Sequence, residues 1–125
     1  MSKKKVMVVD DDREFLEELC ELLVLSGYEM VSVNDPAAAL QIAVSEKPQV
    51  ILIDLKMPGK SGFQLAEEFR GLAQLDQVSL IAMSAFFKEE YKPLLNICGI
   101  KRCLKKPFHP LEVITEIEAA LAEKL

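Results

Sequence analysis

Short apolar runs alternate along the chain with longer segments of helical periodicity. Apolar runs rich in β-branched residues are typical of strands buried on both faces of a sheet. Five such runs lie at residues 6–9, 28–33, 49–53, 78–83 and 100–104. The other segments carry apolar residues every three or four positions, which predicts amphipathic helices. The five predicted helices lie at about 13–25, 36–44, 63–72, 88–97 and 110–121.

The first helix shows this periodicity most clearly. Its apolar stripe contains Phe15, Leu16, Leu19, Leu22 and Leu23, whereas glutamates occupy the opposite face. Ser-Gly at 26–27 ends it, because glycine readily adopts the conformation that closes a helix. Asn-Asp-Pro at 34–36 supplies a capping residue and a first-turn proline for the second helix.

The order of these elements predicts an α/β fold. Strands that alternate with helices form a parallel sheet covered on both faces, with right-handed crossovers. We expect a doubly wound sheet of five strands in the order 2-1-3-4-5, with five helices. The 125 residues are the length of one domain, so we expect a single domain over 1–125.

Composition narrows the classes of function. Fifteen Lys and Arg against twenty Asp and Glu give a net charge of -5, which disfavours direct binding to nucleic acid. The longest aliphatic stretches, 22–25 and 50–53, are too short for a membrane span. The basic start at 1–5 leads into a strand and three aspartates rather than a secretory segment, so we expect a cytoplasmic protein.

Polar residues follow four of the predicted strands. Asp10 to Asp12 follow the first, Asp54 the third, Ser84 the fourth, and Lys106 lies after the fifth. The carboxyl ends of parallel strands meet at one edge of the sheet, and doubly wound sheets bind ligands there, where the strand order reverses. We therefore expect Asp10, Asp11 and Asp54 to converge.

Several carboxylates in one crevice repel one another unless a cation binds between them. An all-oxygen site suits Mg²⁺, and no Cys or His is placed to favour a softer metal. The three cysteines, Cys20, Cys98 and Cys103, lack metal-site spacing and are expected to be free thiols. Lys106 and Ser84 would add a positive charge and a hydroxyl, which together with a carboxylate nucleophile suit phosphoryl transfer.

Most of these polar residues also have purely structural interpretations. An aspartate run before a helix is often an N-cap with favourable first-turn charge. The basic residues Lys101, Arg102 and Lys105 fit a partly solvated strand edge, and His109 fits a helix entry. Asp54 is harder to explain structurally, because a carboxylate directly after a buried strand costs desolvation unless it is paired.

Taken in order, these motifs give the chain a family resemblance. An apolar strand ending in Asp10-Asp11, then DLKMPG from Asp54 with Gly62 beyond it, then Ser84-Ala85, and then Lys106-Pro107 resemble the receiver domain of bacterial response regulators. The match extends over essentially the whole chain. The resemblance implies a flavodoxin-like receiver fold of the chemotaxis type.

The resemblance also implies roles for individual residues. Asp54 would accept a phosphoryl group from a histidine kinase or phosphotransfer protein. Mg²⁺ would be held by Asp10, Asp11, Asp54 and the backbone carbonyl of Lys56. Lys106 would pair with Asp54 and then with its phosphoryl group. Ser84 would report phosphorylation to the face formed by the fourth helix, fifth strand and fifth helix. The Lys106-Pro107 bond would be cis.

One position departs from the family pattern. Three residues before the lysine the family usually has Tyr or Phe as a switch residue, and this chain has Cys103. A thiol lacks the ring that would turn inward behind the hydroxyl residue. We therefore expect Phe86, Phe87 or Tyr91 to carry the signal instead.

Two other functions remain open from the sequence. A receiver-like module could bind partners without phosphate control, or Asp10-x-Asp12 could mark a haloacid-dehalogenase-like phosphatase with Asp10 as nucleophile. No effector domain lies within the 125 residues, so we expect a stand-alone receiver or one taken from a longer regulator. Its output would pass to a target protein or an effector domain, as a monomer or as a phosphorylation-dependent dimer.

Overall fold

A computed structural model describes residues 3–123 as alternating strands and helices. Met1 and Ser2 of the basic start, with Lys124 and Leu125, lie outside the described residues. The strands are β1 Lys5–Val9, β2 Glu29–Val33, β3 Val50–Asp54, β4 Ser79–Ser84 and β5 Arg102–Lys105. The helices are α1 Arg13–Leu25, α2 Pro36–Glu46, α3 Gly62–Arg70, α4 Tyr91–Ile97 and α5 Pro110–Ala122.

All five strands are parallel and form one sheet in the order β2-β1-β3-β4-β5. This confirms the predicted doubly wound topology. The order reverses between β1 and β3, so the crevice expected at a switch point lies above these two strands.

The sheet is buried on both faces, as its apolar runs predicted. Alternate residues of a strand face opposite sides, so each central strand contributes to two cores. Met7, Val9, Ile51 and Ile53 belong to one core, which also contains residues of α2, α3 and α4. The residues between them belong to the other core, with α1 and α5. The ligand edge is therefore supported by two packed layers of helix.

The fourth helix begins at Tyr91 rather than at the predicted Lys88. A helix that started at Lys88 would carry Pro93 in its interior, where proline lacks the N–H and clashes with the preceding turn. Beginning at Tyr91 places Pro93 in the first turn. Residues 88–90 instead form a turn in which the Tyr91 N–H donates to the Lys88 carbonyl at 2.9 Å.

The fifth strand is also shifted from the predicted 100–104. Ile100 is buried but precedes the strand, because its N–H donates to the Leu95 carbonyl at 2.8 Å and so helps to close α4. Gly99, with φ 73°, makes this helix ending possible. The third helix ends at Arg70 rather than Leu72, and the Arg70 guanidinium donates to the carbonyls of Val78 and Gly99.

Helix starts agree with the structural interpretations of the sequence. Asp12 and Asp35 accept backbone hydrogen bonds as the N-caps of α1 and α2, and Pro36 is in the first turn of α2. His109 is the N-cap of α5, where its Nδ1 accepts from the Leu111 N–H at 3.1 Å. Within 3–123, no helix is both long enough and apolar enough to cross a bilayer.

Gly62 permits a close approach between α3 and the end of β3. Its N–H donates to the Leu55 carbonyl at 3.1 Å. A Cβ at this position would lie 2.4 Å from the Asp54 carbonyl oxygen and 2.9 Å from the Leu55 Cα. Since both contacts are with backbone, only a shift of the chain could relieve them. Gly62 therefore influences the placement of the Asp54 backbone.

We predict that Gly62→Ala lowers the free energy of unfolding by roughly 1–3 kcal/mol through overpacking. The measurement is urea unfolding followed by circular dichroism. The matched control is Gly71→Ala, because Gly71 has φ -76° and its nearest potential Cβ contact is 3.4 Å. That variant should lose little stability or gain some. Equal losses at the two positions would contradict the backbone clash.

Candidate functional site

The polar residues at the strand ends come together at the edge where the strand order reverses. Asp10 follows β1, Asp54 ends β3, Ser84 ends β4 and Lys106 follows β5. Carboxylate oxygens of Asp10, Asp11 and Asp54 lie within 4.8 Å of one another. The convergence expected from the sequence is therefore present in the fold.

Asp10 is the most buried of the three carboxylates, with 1% of the residue exposed. Its Oδ1 accepts a hydrogen bond from the Asp12 N–H at 3.0 Å. Its Oδ2 accepts from Lys106 Nζ at 2.6 Å. Both oxygens are thus engaged, which offsets the desolvation cost of a buried carboxylate.

Lys106 makes its shortest contact with Asp10 rather than with Asp54, the expected partner. Its Nζ lies 4.0 Å from Asp54 Oδ2, so the expected ion pair is present only as the longer of two contacts. The Lys106 N–H donates to the Ser84 carbonyl at 2.7 Å. The Lys106-Pro107 bond is cis, as the resemblance implied. A backbone hydrogen bond therefore holds the lysine beside Ser84.

Asp54 is buried but poorly compensated. Only 8% of the residue is exposed, and its Oδ1 accepts a long hydrogen bond, 3.4 Å, from the Lys56 N–H. Burial, with the nearby Asp10 carboxylate, raises the pKa of Asp54 from 3.8 to about 6, against opposing effects of Lys106 and the Lys56 N–H. The folded protein therefore favours the neutral form of this carboxyl more than water does.

The donor set of this cluster fits a hard divalent cation. Oxygen is the only donor type among the three side chains, and charge repulsion between them would be relieved by a cation. One carboxylate, that of Asp11, belongs to an exposed residue, which gives an approach from solvent. The residues present are therefore suited to Mg²⁺. The backbone carbonyl of Lys56 remains a predicted further ligand.

The candidate switch residues divide into two groups. Phe87 and Tyr91 contact each other edge-on with ring centroids 6.1 Å apart, and Tyr91 contacts Phe63 of α3 at 5.4 Å. Cys103 is half-buried and packs against the same core. Phe86, in contrast, is 74% exposed. Phe87 and Tyr91 thus link the loop after Ser84 to α3, whereas Phe86 is available to solvent.

Two of these residues also have surroundings that bear on their chemistry. Lys105 Nζ lies 4.8 Å from the centroid of the Phe87 ring. Burial raises the pKa of the Cys103 thiol, opposed by Lys105, so the thiol is less reactive than an exposed one. Ser84 is 5% exposed and ends β4 beside the acidic cluster.

An aromatic contact to the lysine escaped the sequence analysis. Lys106 Nζ lies 4.0 Å from the centroid of the Phe15 ring, and that ring contacts Phe108 edge-on at 5.8 Å. Helical periodicity assigned Phe15 to the apolar stripe of α1, and in the structure Phe15 does pack against the core beneath α1. The position of Phe15 close to the acidic run was the one sequence feature that could have indicated a role at the site. Periodicity alone does not identify the partner of an ammonium group.

A family model for the response regulator receiver domain matches residues 6–118. The chain therefore belongs to the response regulator receiver family and is a receiver domain of two-component signalling. This membership confirms the resemblance and the flavodoxin-like fold. It gives no support to a phosphatase with Asp10 as nucleophile, and both oxygens of that residue are already hydrogen-bonded.

Curated relatives include transcriptional regulators. The chain is 29% identical over 121 residues to the phosphate regulon regulator PhoB of Pseudomonas aeruginosa, covering 97% of this chain and 53% of that protein. It is 33% identical over 118 residues to the CpxR homolog of Haemophilus influenzae, covering 94% and 50%. The chain spans about half the length of these relatives.

Solved structures agree with this family. The chemotaxis protein CheY4 of Vibrio cholerae has 25% identity, a TM-score of 0.91 and coverage of 95% of this chain and 99% of that one. A putative response regulator from Chloroflexus aurantiacus has 26% identity, a TM-score of 0.90 and coverage of 97% and 99%.

We predict that Asp54→Asn stabilises the metal-free protein. Because the pKa of Asp54 is raised on folding, the folded state binds this proton more tightly, and the free energy of unfolding falls as pH rises from about 4 to about 6. A shift of one pKa unit corresponds to about 1.4 kcal/mol, so Asn should add roughly 1–3 kcal/mol above pH 6. The gain should shrink as pH falls towards 4.

The measurement is urea unfolding at about pH 5 and about pH 8 in the presence of a chelator. Asp76→Asn is the matched control, because Asp76 is exposed in the loop before β4, at the opposite edge of the sheet. A gain from Asp54→Asn that did not depend on pH, or that Asp76→Asn also produced, would rule out the relief of a strained carboxylate.

Proposed function

We propose that this receiver accepts a phosphoryl group on Asp54 from a phosphohistidine of a histidine kinase or phosphotransfer protein. The observation that carries the proposal is the Asp54 carboxylate itself. It is buried at the ligand edge, weakly hydrogen-bonded, and next to both an acidic pair and a lysine. A carboxylate in these surroundings has few interactions to lose when it becomes a nucleophile.

In the proposed reaction an Asp54 oxygen attacks the phosphorus atom. The oxygen–phosphorus bond forms as the phosphorus–nitrogen bond breaks, and the electron pair of that bond returns to the imidazole of the donor. With a pKa of about 6, Asp54 is mostly ionised at neutral pH and can act as the nucleophile. The chain would catalyse only its own phosphorylation and dephosphorylation.

Lys106 and Ser84 are suited to bind the transferred group. The Lys106 ammonium, 4.0 Å from Asp54 Oδ2, can pair with a phosphoryl oxygen that projects from Asp54. The Ser84 hydroxyl at the end of β4 can donate to another. Asp10 would keep the lysine beside the site until the phosphoryl group arrives, because their 2.6 Å contact is the shorter one.

Mg²⁺ would be held by the carboxylates of Asp10, Asp11 and Asp54 and by the backbone carbonyl of Lys56. When bound, it neutralises the charge that otherwise accumulates between these carboxylates and an incoming phosphoryl group. The carboxylates contribute by fixing the cation next to the Asp54 nucleophile, and Asp11 does so from the exposed side of the crevice.

We further propose that the output passes through α4, β5 and α5. Ser84 would report phosphorylation to this face. Phe87 contacts Tyr91, and Tyr91 contacts Phe63, which supplies an aromatic path in place of the ring that Cys103 lacks. The recipient would be a target protein or an effector domain, and the chain matches about half the length of two transcriptional regulators. We propose cytoplasmic action, as a monomer or as a phosphorylation-dependent dimer.

We predict that acetyl phosphate with Mg²⁺ adds one phosphoryl group to the protein and that Asp54→Asn abolishes the adduct. The reason is that no other described carboxylate combines this burial, poor compensation and a neighbouring lysine. Intact-mass spectrometry with peptide mapping is the measurement. Asp76→Asn, which removes an exposed carboxylate at the other edge, should be phosphorylated like the wild type.

An unmodified wild-type protein that binds Mg²⁺ would contradict phosphorylation by small donors. If a histidine kinase also failed to modify it, a binding module without phosphate control would replace the proposal. Hydrolysis of the donor that persists in Asp54→Asn and disappears in Asp10→Asn would instead support the phosphatase mechanism.

We predict that the aromatic path, and not Cys103, couples phosphorylation to α4. Phe87→Leu should weaken this coupling by about 0.5–2 kcal/mol, because it removes the ring contact with Tyr91 and keeps an apolar side chain. The measurement is the change in α4 amide resonances on phosphorylation. Cys103→Ala is the control and should leave these changes as in the wild type. If Cys103→Ala weakened the changes and Phe87→Leu did not, position 103 and not the aromatic path would carry the switch.

A further inference from the structure

The Lys106 ammonium is bounded by an aromatic ring as well as by carboxylates. Its Nζ lies 2.6 Å from Asp10 Oδ2, 4.0 Å from Asp54 Oδ2 and 4.0 Å from the centroid of the Phe15 ring. The lysine side chain is only 18% exposed, so the ring replaces part of the water that would otherwise surround the ammonium. At this distance the negative face of an aromatic ring attracts a cation.

Hydrogen bonds from backbone amides connect residue Phe15 to the acidic segment that follows β1. The Phe15 N–H donates to Asp12 Oδ1 at 3.2 Å, and the Asp12 N–H donates to Asp10 Oδ1 at 3.0 Å. Asp12 is therefore both the N-cap of α1 and a link between two contacts of the ammonium. One short segment of chain carries the carboxylate partner of Lys106 and its aromatic partner.

The loop that carries Lys106 holds the ring from the other side. Phe108 lies two residues after the lysine, and its ring contacts Phe15 edge-on, with centroids 5.8 Å apart and an interplanar angle of 76°. This edge-to-face arrangement is a favoured aromatic geometry. The Phe15 ring is thus fixed between the first turn of α1 and the loop after β5.

We propose that Phe15 is a positioning residue for Lys106. Its ring holds the ammonium within reach of both Asp10 and Asp54. Because a cation–π attraction is less directional than a hydrogen bond, the ring does not restrict the ammonium to one of the two carboxylates. The ammonium can therefore move from Asp10 towards a phosphoryl oxygen on Asp54 without leaving the ring. This inference rests on the proposed phosphorylation of Asp54.

Phe15 also packs against the core beneath α1, so loss of the side chain alone does not separate packing from electrostatics. Fluorination of the ring does separate them. A trifluorinated phenylalanine nearly keeps the size of the ring but removes the negative charge from its face, and with it the attraction for a cation. Phe108 is the matched control, since its half-buried ring contacts the Phe15 ring edge-on, whereas the ring that faces the ammonium is that of Phe15.

The first measurement uses the metal-free protein and needs no phosphodonor. A lysine over a ring face has side-chain Hε protons displaced upfield by the ring current. We expect the Hε resonances of Lys106 upfield of their random-coil positions in the wild type. Phe15→Leu should remove the displacement, whereas Phe108→Leu should retain most of it. Random-coil Hε positions in the wild type would overturn the proposal.

The second measurement is the rate constant for phosphorylation by acetyl phosphate with Mg²⁺. Trifluorophenylalanine at position 15 should lower it by about 2- to 30-fold, the range expected for losing a cation–π contact at a partly desolvated site. The same replacement at position 108 should change it less than about 2-fold. Equal effects at the two positions, or none at position 15, would overturn the positioning role.

The two measurements separate failure of this inference from failure of the proposed function. If the wild-type protein formed no adduct on Asp54, the proposed function would be wrong. The ring-current measurement would still show whether Lys106 contacts the Phe15 ring. An adduct on Asp54 together with random-coil Lys106 resonances would reject only the role of Phe15. Since the fluorinated protein differs from the wild type by three ring substituents, a folding defect is readily checked by its melting temperature.

Discussion

Three carboxylates and one ammonium share the carboxyl edge of the sheet, and the rest of the site is arranged around this imbalance of charge. Asp10 uses both of its oxygens, one on Lys106 and one on the Asp12 N–H, and is thereby compensated. Asp54 has only a longer contact with the ammonium of the same lysine and accepts one long hydrogen bond. The uncompensated charge therefore falls on the residue whose pKa is raised, and that residue is the proposed nucleophile.

The fold maintains this charge imbalance by fixing the backbone positions of the site residues, and not by pairing every carboxylate with a cation. Parallel strands in the order β2-β1-β3-β4-β5 bring separate parts of the chain to one edge. Gly62 allows α3 to approach the end of β3, and the Ser84 carbonyl anchors the Lys106 backbone. Two apolar cores keep these strand ends in place, so a poorly compensated carboxylate can persist in a stable fold.

Much of this arrangement could be predicted from the sequence because it depends on periodicity and on topology. Doubly buried strands identified the sheet, and parallel strand ends identified the Asp10, Asp11 and Asp54 cluster. The preference of Lys106 for Asp10 could not be predicted, because it depends on distances of 2.6 and 4.0 Å within one crevice. The start of α4 differs from the predicted Lys88 because Pro93 is accommodated in the first turn of a helix and not in its interior.

The most direct test of the account is whether the three carboxylates form one cation site. Thermal unfolding should be measured while MgCl₂ is titrated against KCl of matched ionic strength, for the wild type and for Asp11→Asn. A single cation site at the three carboxylates predicts a melting temperature that rises with Mg²⁺ by mass action in the wild type and much less in Asp11→Asn. A wild-type melting temperature that responds equally to MgCl₂ and KCl would contradict it.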